Sequence, residues 1–194
     1  WITTRTGIKE RRIADAETAT SDLALQAAPN ALQMADVPAS SLDLIIVATV
    51  TPDKVFPSTA CLLQTKLGAG PCMCFDLEAA CSGLLYAIEV AHAMLAASPN
   101  YRRALVLGAE KLSAITDWTD RNTCVIFGDG AGAVILDKSD DYAYGCYLAG
   151  KFCADGQYAD ILQLPAGGSA LPASHATVDE RLHYVKMGGS KTFQ

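Results

Sequence analysis

The sequence predicts a layered α/β fold, and two observations support that prediction. Short apolar segments rich in β-branched residues alternate with segments of helical pattern at the spacing of βαβ units. Hydrophobic residues make up 51% of the 194-residue chain and charged residues only 19%, a balance typical of a compact protein rather than a disordered one. A chain of this length is long enough to bury a core of its own.

The first predicted elements are a helix and a strand. Residues 21–36 have a helical pattern, with Ser21 or Asp22 as the cap. Pro29 should kink or interrupt this helix because proline cannot donate the backbone hydrogen bond. Residues 42–50 are almost continuously apolar and β-branched, which predicts a strand covered on both faces.

The middle of the chain predicts a helix, a strand and a second helix. Residues 58–67 return to a helical pattern, and residues 72–77 form a short strand. Residues 82–97 are apolar on almost every side, and a helix of that kind is expected to lie buried inside the domain. No apolar run approaches the ~18 residues that a membrane helix needs, so no membrane association is expected.

Four further strand candidates follow. They are residues 103–108, 131–136, 146–153 and 182–187. No internal repeat, low-complexity tract or linker interrupts the series, so residues 1–194 are expected to belong to one domain.

The composition and the N-terminus exclude several classes of function. The formal net charge is -6, so release of counterions from a nucleic acid backbone is not expected to drive binding. The N-terminal residues lack the hydrophobic stretch of a signal peptide. We therefore expect a cytoplasmic protein without a nucleic-acid or membrane partner.

The chain has seven cysteines, which are Cys61, Cys72, Cys74, Cys81, Cys124, Cys146 and Cys153. Their number is odd and none forms a C-x-x-C pair, which indicates reduced thiols rather than a disulfide scaffold or a zinc site. Cys72 and Cys74 face the same side of a predicted strand, but no second pair of ligands accompanies them. No metal is therefore expected.

Cys81 differs from the other cysteines in its position. It follows the predicted strand at 72–77 and immediately precedes the helix at 82–97. A thiol at a helix N-terminus lies near unsatisfied backbone N–H groups and the positive end of the helix dipole, and both favour the thiolate. The small residues Ser82 and Gly83 leave space for a substrate, although position alone also fits a packed, inert cysteine.

None of the three histidines is placed to assist Cys81. His92 lies further along the same helix, roughly 16 Å away at about 1.5 Å of rise per residue. His175 lies in a loop-like stretch rich in Gly, Ser, Pro and Ala, and His183 lies in a predicted strand. A cysteine nucleophile needs a base or a hydrogen-bond partner, and the sequence does not supply an obvious one.

Four blocks of sequence carry a family resemblance. They are WIxxRTGIxxR at 1–11, DLEAACSGLLYA at 76–87, FGDGAGA at 127–133, and DG at 155–156 followed by LxLP at 162–165. In this order and nearly at this spacing they resemble the β-ketoacyl-acyl carrier protein synthases of the type III class. The block at 76–87 is similar to the active-site segment of that family, and the resemblance covers the whole chain.

The resemblance implies a fold and an activity. The fold is the thiolase fold, two similar α/β halves packed as five layers (αβαβα) in a homodimer, and this chain would be the first half, with a mixed sheet and a buried central helix. Cys81 matches the nucleophile that takes an acyl group from a short acyl-coenzyme A such as acetyl-coenzyme A. The thioester then condenses with malonyl-acyl carrier protein, with loss of carbon dioxide, in the initiation of fatty acid biosynthesis. No cofactor is implied, since coenzyme A enters as the substrate thioester.

The resemblance also implies roles for residues that would otherwise pass as ordinary surface or core. Trp1 and Arg121 match the pair that sandwiches the adenine of coenzyme A, and Arg5 matches a residue close to its phosphates. Indole and guanidinium planes both stack on a flat base. Phe56 matches a residue that crosses the dimer interface to close the acyl pocket. The residues matched to the pocket or its entrance are Phe127, Leu162 and Met187.

The family's catalytic His and Asn lie in its second half, as do the glycines that complete its oxyanion hole, and nothing in residues 1–194 matches them. The beginning of the family is also unmatched. Residues 1–194 alone are therefore expected to be incomplete as an enzyme, and to pair with a C-terminal half or a second copy. The backbone N–H of Cys81 would form part of the oxyanion hole.

Three competing interpretations fit parts of the sequence. The run GDGAGA at 128–133 formally fits the dinucleotide signature G-x-G-x-x-G/A, but that motif must open a helix and here it leads into a predicted strand, so a tight turn is preferred. Another cysteine acyltransferase of the thiolase superfamily, for polyketide priming or ester formation, would share Cys81 and differ in the acyl acceptor. A non-catalytic half-domain would fold or pair without reacting.

Overall fold

In a computed structural model, which describes residues 1–140, 142 and 145–192, the chain forms two compact units. Unit 1 contains residues 1–13, residues 112–129 and the chain from Cys153 onward. Unit 2 contains residues 14–111 and 130–152.

Unit 2 is built on a four-stranded mixed sheet. Its strands are β1 (Leu44–Ala48), β2 (Met73–Leu77), β3 (Arg103–Lys111) and β4 (Asp129–Asp137), in the order β2-β1-β3-β4. The central strand β1 is parallel to both of its neighbours, with Leu44 opposite Met73 on one side and Ala104 on the other. Every residue of β1 is buried, which confirms the prediction of a strand covered on both faces.

Helices cover the two faces of this sheet, so the unit has three layers. Alternate residues of β1 and β3 point to opposite faces. Ile45, Val47, Leu105 and Leu107 pack with helix α2 (Thr20–Met34) and helix α3 (Thr59–Leu67). On the other face, helix α4 (Gly83–Ala97) packs with Leu44, Ile46, Ala48, Ala104 and Val106. The layered α/β prediction is confirmed.

Helix α2 begins one residue earlier than predicted and continues through Pro29. Its N-cap is Ala19, and the Asp22 carboxylate accepts a hydrogen bond of 2.9 Å from the Ala19 N–H. Asp22 therefore caps the helix from inside the first turn, and the prediction that Ser21 or Asp22 is the N-cap is wrong. Pro29 is exposed and does not interrupt the helix, because water can reach the face on which a helical hydrogen bond is lost.

Helix α3 has a defined start and end. Ser58 caps it by accepting a hydrogen bond from the Cys61 N–H, and Gly68 ends it with a φ of 68°. The carboxylate of Asp76, on β2, accepts hydrogen bonds from the N–H groups of Thr59 and Ala60 at 2.6 and 2.8 Å. The negative charge lies at the positive end of the helix dipole, so it fixes the helix to the sheet.

Helix α4 is less buried than predicted. Only Gly83, Ala87, Ala91 and Leu95 are buried, a single stripe of residues four apart that faces the sheet. Leu85, on another side of the helix, is 53% exposed. The prediction of a helix buried on all sides is therefore wrong for the chain as described, because sheet residues cover one face only.

One segment passes a length-and-composition test for a membrane helix. It runs from Ala80 to Ala97, 18 residues, so the expectation that no apolar run reaches this length is wrong. The test is weak evidence, since a core helix of a soluble protein also passes it. The buried stripe of α4 packs on strands β1 and β3, as in such a core helix.

The remaining helices and strands are short. They are α1 (Ile2–Thr6), β5 (Leu162–Gln163), α5 (His175–Asp179), β6 (Lys186–Met187) and α6 (Gly189–Thr192), with 3-10 turns at Ala39–Ser41, Ala80–Ser82, Leu112–Ile115 and Gly156–Tyr158. Strands β5 and β6 form an antiparallel pair. Two strand predictions are wrong: residues 146–153 are not in a strand, and only the last two residues of 182–187 are. His183 accordingly lies in a turn.

Candidate active site

Cys81 lies where its sequence position predicts. It is the middle residue of the 3-10 turn Ala80–Ser82, between the end of β2 and the start of α4, and it is exposed. The other exposed cysteines, Cys146 and Cys153, lie in irregular segments. Cys81 is therefore the exposed thiol that precedes a long helix, near the backbone N–H groups that a helix N-terminus leaves unsatisfied.

The turn that presents Cys81 has an unusual backbone. Ala80 has a φ of 44°, in the left-handed region that residues with a Cβ rarely adopt. Its N–H donates to the Glu78 carboxylate at 3.2 Å, and the Ser82 N–H donates to the Ala79 carbonyl at 3.0 Å. These two hydrogen bonds keep the chain in the sharp turn that leaves Cys81 accessible.

Gly83 allows the first turn of α4 to approach the sheet. A Cβ at this position would lie 3.1 Å from the Cβ of Ala48, the last residue of β1. That separation is shorter than normal carbon–carbon contact. The absence of a side chain at Gly83 therefore fixes how closely Cys81 approaches the carboxyl end of β1.

A cavity of about 310 Å³ opens beside the thiol. It is lined by Ala48, Ala80, Cys81, Leu84, Gly108, Ala109, Glu110, Gly130, Ala131 and Gly132. Residues 48 and 108–110 belong to the carboxyl-terminal ends of β1 and β3. Ligands of open α/β sheets bind outside the carboxyl ends of the strands, so the cavity has the position expected of a substrate site.

Glu110 is the residue of this cavity that the sequence reasoning missed. Its carboxylate accepts hydrogen bonds from the Val50 N–H at 2.9 Å and from the hydroxyl groups of Thr51 and Thr49 at 2.6 and 3.3 Å. Burial raises the pKa of Glu110, while these hydrogen bonds act in the opposite direction. The sequence feature that could have identified Glu110 is a charged residue near the end of an otherwise apolar strand.

Trp1 and Arg5, two residues predicted to bind coenzyme A, lie together in unit 1. Trp1 is the N-cap of α1 and is 70% exposed, and the Arg5 guanidinium carbon lies 5.4 Å from the centre of its ring. This is the distance of a cation–π contact. The indole thus has a cationic neighbour on one face, and its exposure leaves surface for a flat ligand.

The loop that carries Arg121 is anchored by an ion pair. Asp117 is buried, and its two oxygens accept hydrogen bonds from Nη2 and Nε of Arg181 at 2.6 and 3.1 Å. The N–H and hydroxyl of Thr119 donate to the same carboxylate at 2.9 and 2.6 Å. These interactions, with the Arg181 hydrogen bond first, hold the pKa of Asp117 well below its usual range. Arg121 itself is exposed.

This anchor should fail in acid. A carboxyl group whose folded-state pKa is depressed stabilises the fold above its unfolded pKa, about 3.9, and the stabilisation is lost as the pH falls through the folded value. We expect the Thr119 amide to exchange its hydrogen progressively faster, relative to the intrinsic rate, below about pH 3.9. Asp117→Asn should show fast exchange already at neutral pH, and the exposed Asp160→Asn should not. Equal protection in Asp117→Asn and the native protein at pH 7 would contradict this anchor.

The other predicted pocket residues are distributed over both units. Leu162 and Met187 are paired across β5 and β6, so the structure brings these two together. The carbonyl of Phe127 accepts a hydrogen bond from Arg11, 3.3 Å away. Phe56 lies in unit 2, is 82% exposed, and does not line the Cys81 cavity. A role in the acyl pocket stays a prediction for all four.

The glycine-rich run at 128–133 leads into β4, as predicted, and opens no helix. A Cβ at Gly128 would lie 3.1 Å from both the Arg11 Cβ and the Arg12 carbonyl oxygen. The predicted close approach of two backbone segments is therefore confirmed at Gly128, but residues 129–133 lie in β4, so the predicted tight turn is wrong. A dinucleotide site of the predicted alternative kind is therefore excluded for this run.

His92, His183 and the paired cysteines contact neighbouring side chains rather than Cys81. The His92 ring packs on Tyr147 with centroids 4.6 Å apart, and His183 Nε2 lies 2.9 Å from the Thr177 hydroxyl. The sulfurs of Cys72 and Cys74 are 3.6 Å apart, and burial raises the pKa of both thiols. Among the described residues, no three potential ligands form a metal-binding group.

Comparison with known proteins gives one consistent family. Residues 75–156, which include Cys81, match the family model described as 3-oxoacyl-[acyl-carrier-protein (ACP)] synthase III. The β-ketoacyl-[acyl-carrier-protein] synthase III of Natranaerobius thermophilus is 52% identical over the whole chain. The chain spans 59% of the length of that relative.

Solved structures give the same result for the fold. The 3-oxoacyl-[acyl-carrier-protein] synthase III of Aquifex aeolicus matches the whole chain and 56% of its own, with 46% identity and a TM-score of 0.84. The priming β-ketosynthase of the R1128 polyketide pathway matches the whole chain and 56% of its own, with 30% identity and a TM-score of 0.79. Both structures contain considerably more chain than the part matched here.

Proposed function

We propose that the chain is part of a 3-oxoacyl-[acyl-carrier-protein] synthase III, and that Cys81 accepts an acyl group from a short acyl-coenzyme A. The acyl-enzyme then condenses with malonyl-acyl carrier protein to give a 3-oxoacyl product and carbon dioxide. The observation that carries this proposal is the exposed Cys81 thiol at the start of α4, on the wall of a small cavity at the carboxyl ends of β1 and β3.

The loading step follows from this position. The Cys81 sulfur attacks the thioester carbonyl carbon, and the negative charge moves to the carbonyl oxygen. Backbone N–H groups at a helix start stabilise such an oxyanion without reorganising during the reaction. When the tetrahedral intermediate collapses, the bond to the coenzyme A sulfur breaks and the acyl group stays on Cys81.

The nucleotide part of the donor is assigned to residues of unit 1. Trp1 and Arg121 would stack on the adenine, and Arg5 would neutralise phosphate charge. Exposure of Trp1 and Arg121 and the anchored loop after Asp117 support this assignment. Phe127, Leu162 and Met187 are proposed to line the acyl pocket or its entrance.

The proposed partners are the acyl carrier protein and a second copy of the protein, in the cytoplasm. Val55 and Phe56 support the second copy, since they are 93% and 82% exposed on one loop, and exposed apolar pairs of this kind commonly mark contacts with another chain. Decarboxylation of the malonyl group requires groups other than Cys81. The family resemblance assigns that step to a His and an Asn in its second half.

Acyl transfer to Cys81 can be tested directly. Purified protein incubated with isotope-labelled acetyl-coenzyme A is expected to gain one acetyl group, on the peptide that contains Cys81. Cys81→Ser should lose the label, because a hydroxyl is a much weaker nucleophile than a thiolate. The matched control Cys146→Ser removes another exposed thiol and should keep it. Labelling of Cys146 or Cys153 at the rate of Cys81 would contradict the proposal.

A second candidate function is the priming of polyketide synthesis, which the R1128 structure favours by its match over the whole chain. The loading step on Cys81 would be unchanged, and only the carrier protein that supplies the malonyl group would differ. Condensation assays with fatty acid and polyketide carrier proteins distinguish the two candidate functions, because each function requires turnover with the carrier protein of its own pathway. An acylated Cys81 that reacts with neither would leave a non-condensing acyltransferase.

A further inference from the structure

Glu110 is an ionisable group of the Cys81 cavity that the acyl-transfer chemistry leaves without a role. Apart from Cys81 and Glu110, the cavity is lined by alanine, glycine and leucine only, at positions 48, 80, 84, 108, 109, 130, 131 and 132. Glu110 is therefore the lining residue that brings a carboxyl group to an otherwise apolar cavity.

The partners of this carboxyl group are all neutral. They are the Val50 N–H and the hydroxyls of Thr49 and Thr51. The adjacent cation, Lys111, directs its ammonium group to the carbonyls of residues 15, 16 and 18, at 2.9, 3.0 and 2.6 Å. In the part of the chain that the structure describes, no ion pair involves Glu110. Its hydrogen-bond donors stabilise the carboxylate, but they add no positive charge to compensate it.

From this geometry we propose that Glu110 determines which acyl groups load Cys81, by admitting uncharged acyl chains and repelling those that end in a carboxylate. The inference rests on the proposed function, in which the protein handles two thioesters. A neutral acyl-coenzyme A must load Cys81, and a malonyl thioester must not. A negative charge on a residue that lines the same cavity as the thiol would separate the two donors at the loading step.

Loading by either donor is the same exchange. The Cys81 sulfur forms a bond to the thioester carbonyl carbon, the bond to the donor sulfur breaks, and the thiol proton ends on the departing thiol. The two acyl groups differ only in the tail, a hydrogen in acetyl and a carboxylate in malonyl. Like charges interact more strongly in an apolar cavity than in water, where solvent screens them. Glu110 therefore slows malonyl loading and has little electrostatic effect on acetyl loading.

The test compares the rates at which acetyl-coenzyme A and malonyl-coenzyme A load Cys81, measured by mass spectrometry of its peptide. Glu110→Gln is expected to raise the malonyl-to-acetyl rate ratio on the order of tenfold, since it removes the repelling charge at similar size. Glu110→Asp keeps the charge and should keep the ratio near the native value. Glu17→Gln removes an exposed carboxylate outside the cavity and should leave both rates unchanged.

Two results would overturn the role of Glu110: an unchanged ratio in Glu110→Gln, or a ratio in Glu110→Asp as high as in Glu110→Gln. The second would mean that the segment at 49–51, and not the charge, is responsible. Should Glu110→Gln not fold, Ala131→Lys places a cation at an exposed position of the cavity wall. It should raise the ratio, and an unchanged ratio there also overturns the inference. A native protein whose Cys81 takes no acetyl group would instead overturn the proposed function.

Discussion

Gly83→Val is expected to slow acylation of Cys81 on the order of 100-fold, because a displacement of about 1 Å at a reacting group costs roughly that factor. The valine side chain would enter the space occupied by Ala48, where even a Cβ would lie at 3.1 Å. The first turn of α4 can relieve this contact only by moving away from β1. Cys81 lies two residues before Gly83 and would move with that turn.

The same substitution should lower the free energy of unfolding by about 1–3 kcal/mol, the usual effect of overpacking a core. Gly83→Ala distinguishes the steric effect from helix propensity. Alanine adds only the Cβ to the contact with Ala48, and it favours the helix by up to about 1 kcal/mol relative to glycine. Gly168→Val is the matched control, because a Cβ there meets no atom within 4 Å. Chemical denaturation and acetyl labelling measure the two effects. Native labelling rates in Gly83→Val would show that this glycine does not position Cys81.

Local sequence signals predicted the parts of the fold that depend on local physics. Residues 42–50 are almost continuously apolar and rich in β-branched residues, which favours a covered strand, and β1 is entirely buried. The strand, turn and helix around Cys81 were also predictable. The short strand pattern at 72–77 is followed by a brief turn and then by the long apolar run at 82–97. The apolar character of α4 predicted a helix, but it could not indicate which sides the sheet covers.

The predictions that failed depend on distant parts of the chain. Residues 146–153 are mostly apolar and were predicted as a strand, yet a strand needs a neighbour to pair with, and sequence cannot show whether one is available. Glu110 was missed for a related reason. Its partners come from residues 49–51, which are about sixty positions away in the chain. Only the fold makes this glutamate part of the Cys81 cavity.

Phe56→Thr is expected to extend the range of acyl-coenzyme A donors that load Cys81. If Phe56 closes the acyl pocket, its removal opens room for longer chains. Each additional methylene is discriminated by about 10-fold or more in a small pocket. The rate for hexanoyl relative to butyryl donors should therefore rise on the order of 100-fold. Val55→Thr, a change at the neighbouring exposed residue, is the matched control.

Phe56 does not line the cavity that contains Cys81 of its own chain. This agrees with the prediction that Phe56 acts on the acyl pocket of a second copy of the protein. This can be tested by mixing Phe56→Thr with an excess of Cys81→Ala, so that most reactive thiols face a partner that retains Phe56. Short-chain preference should return in the mixture if Phe56 acts across the interface. If the long-chain profile persists although subunit exchange is proven, Phe56 acts on the pocket of its own protomer. If Phe56→Thr alone leaves the chain-length profile unchanged, Phe56 is not part of the acyl pocket.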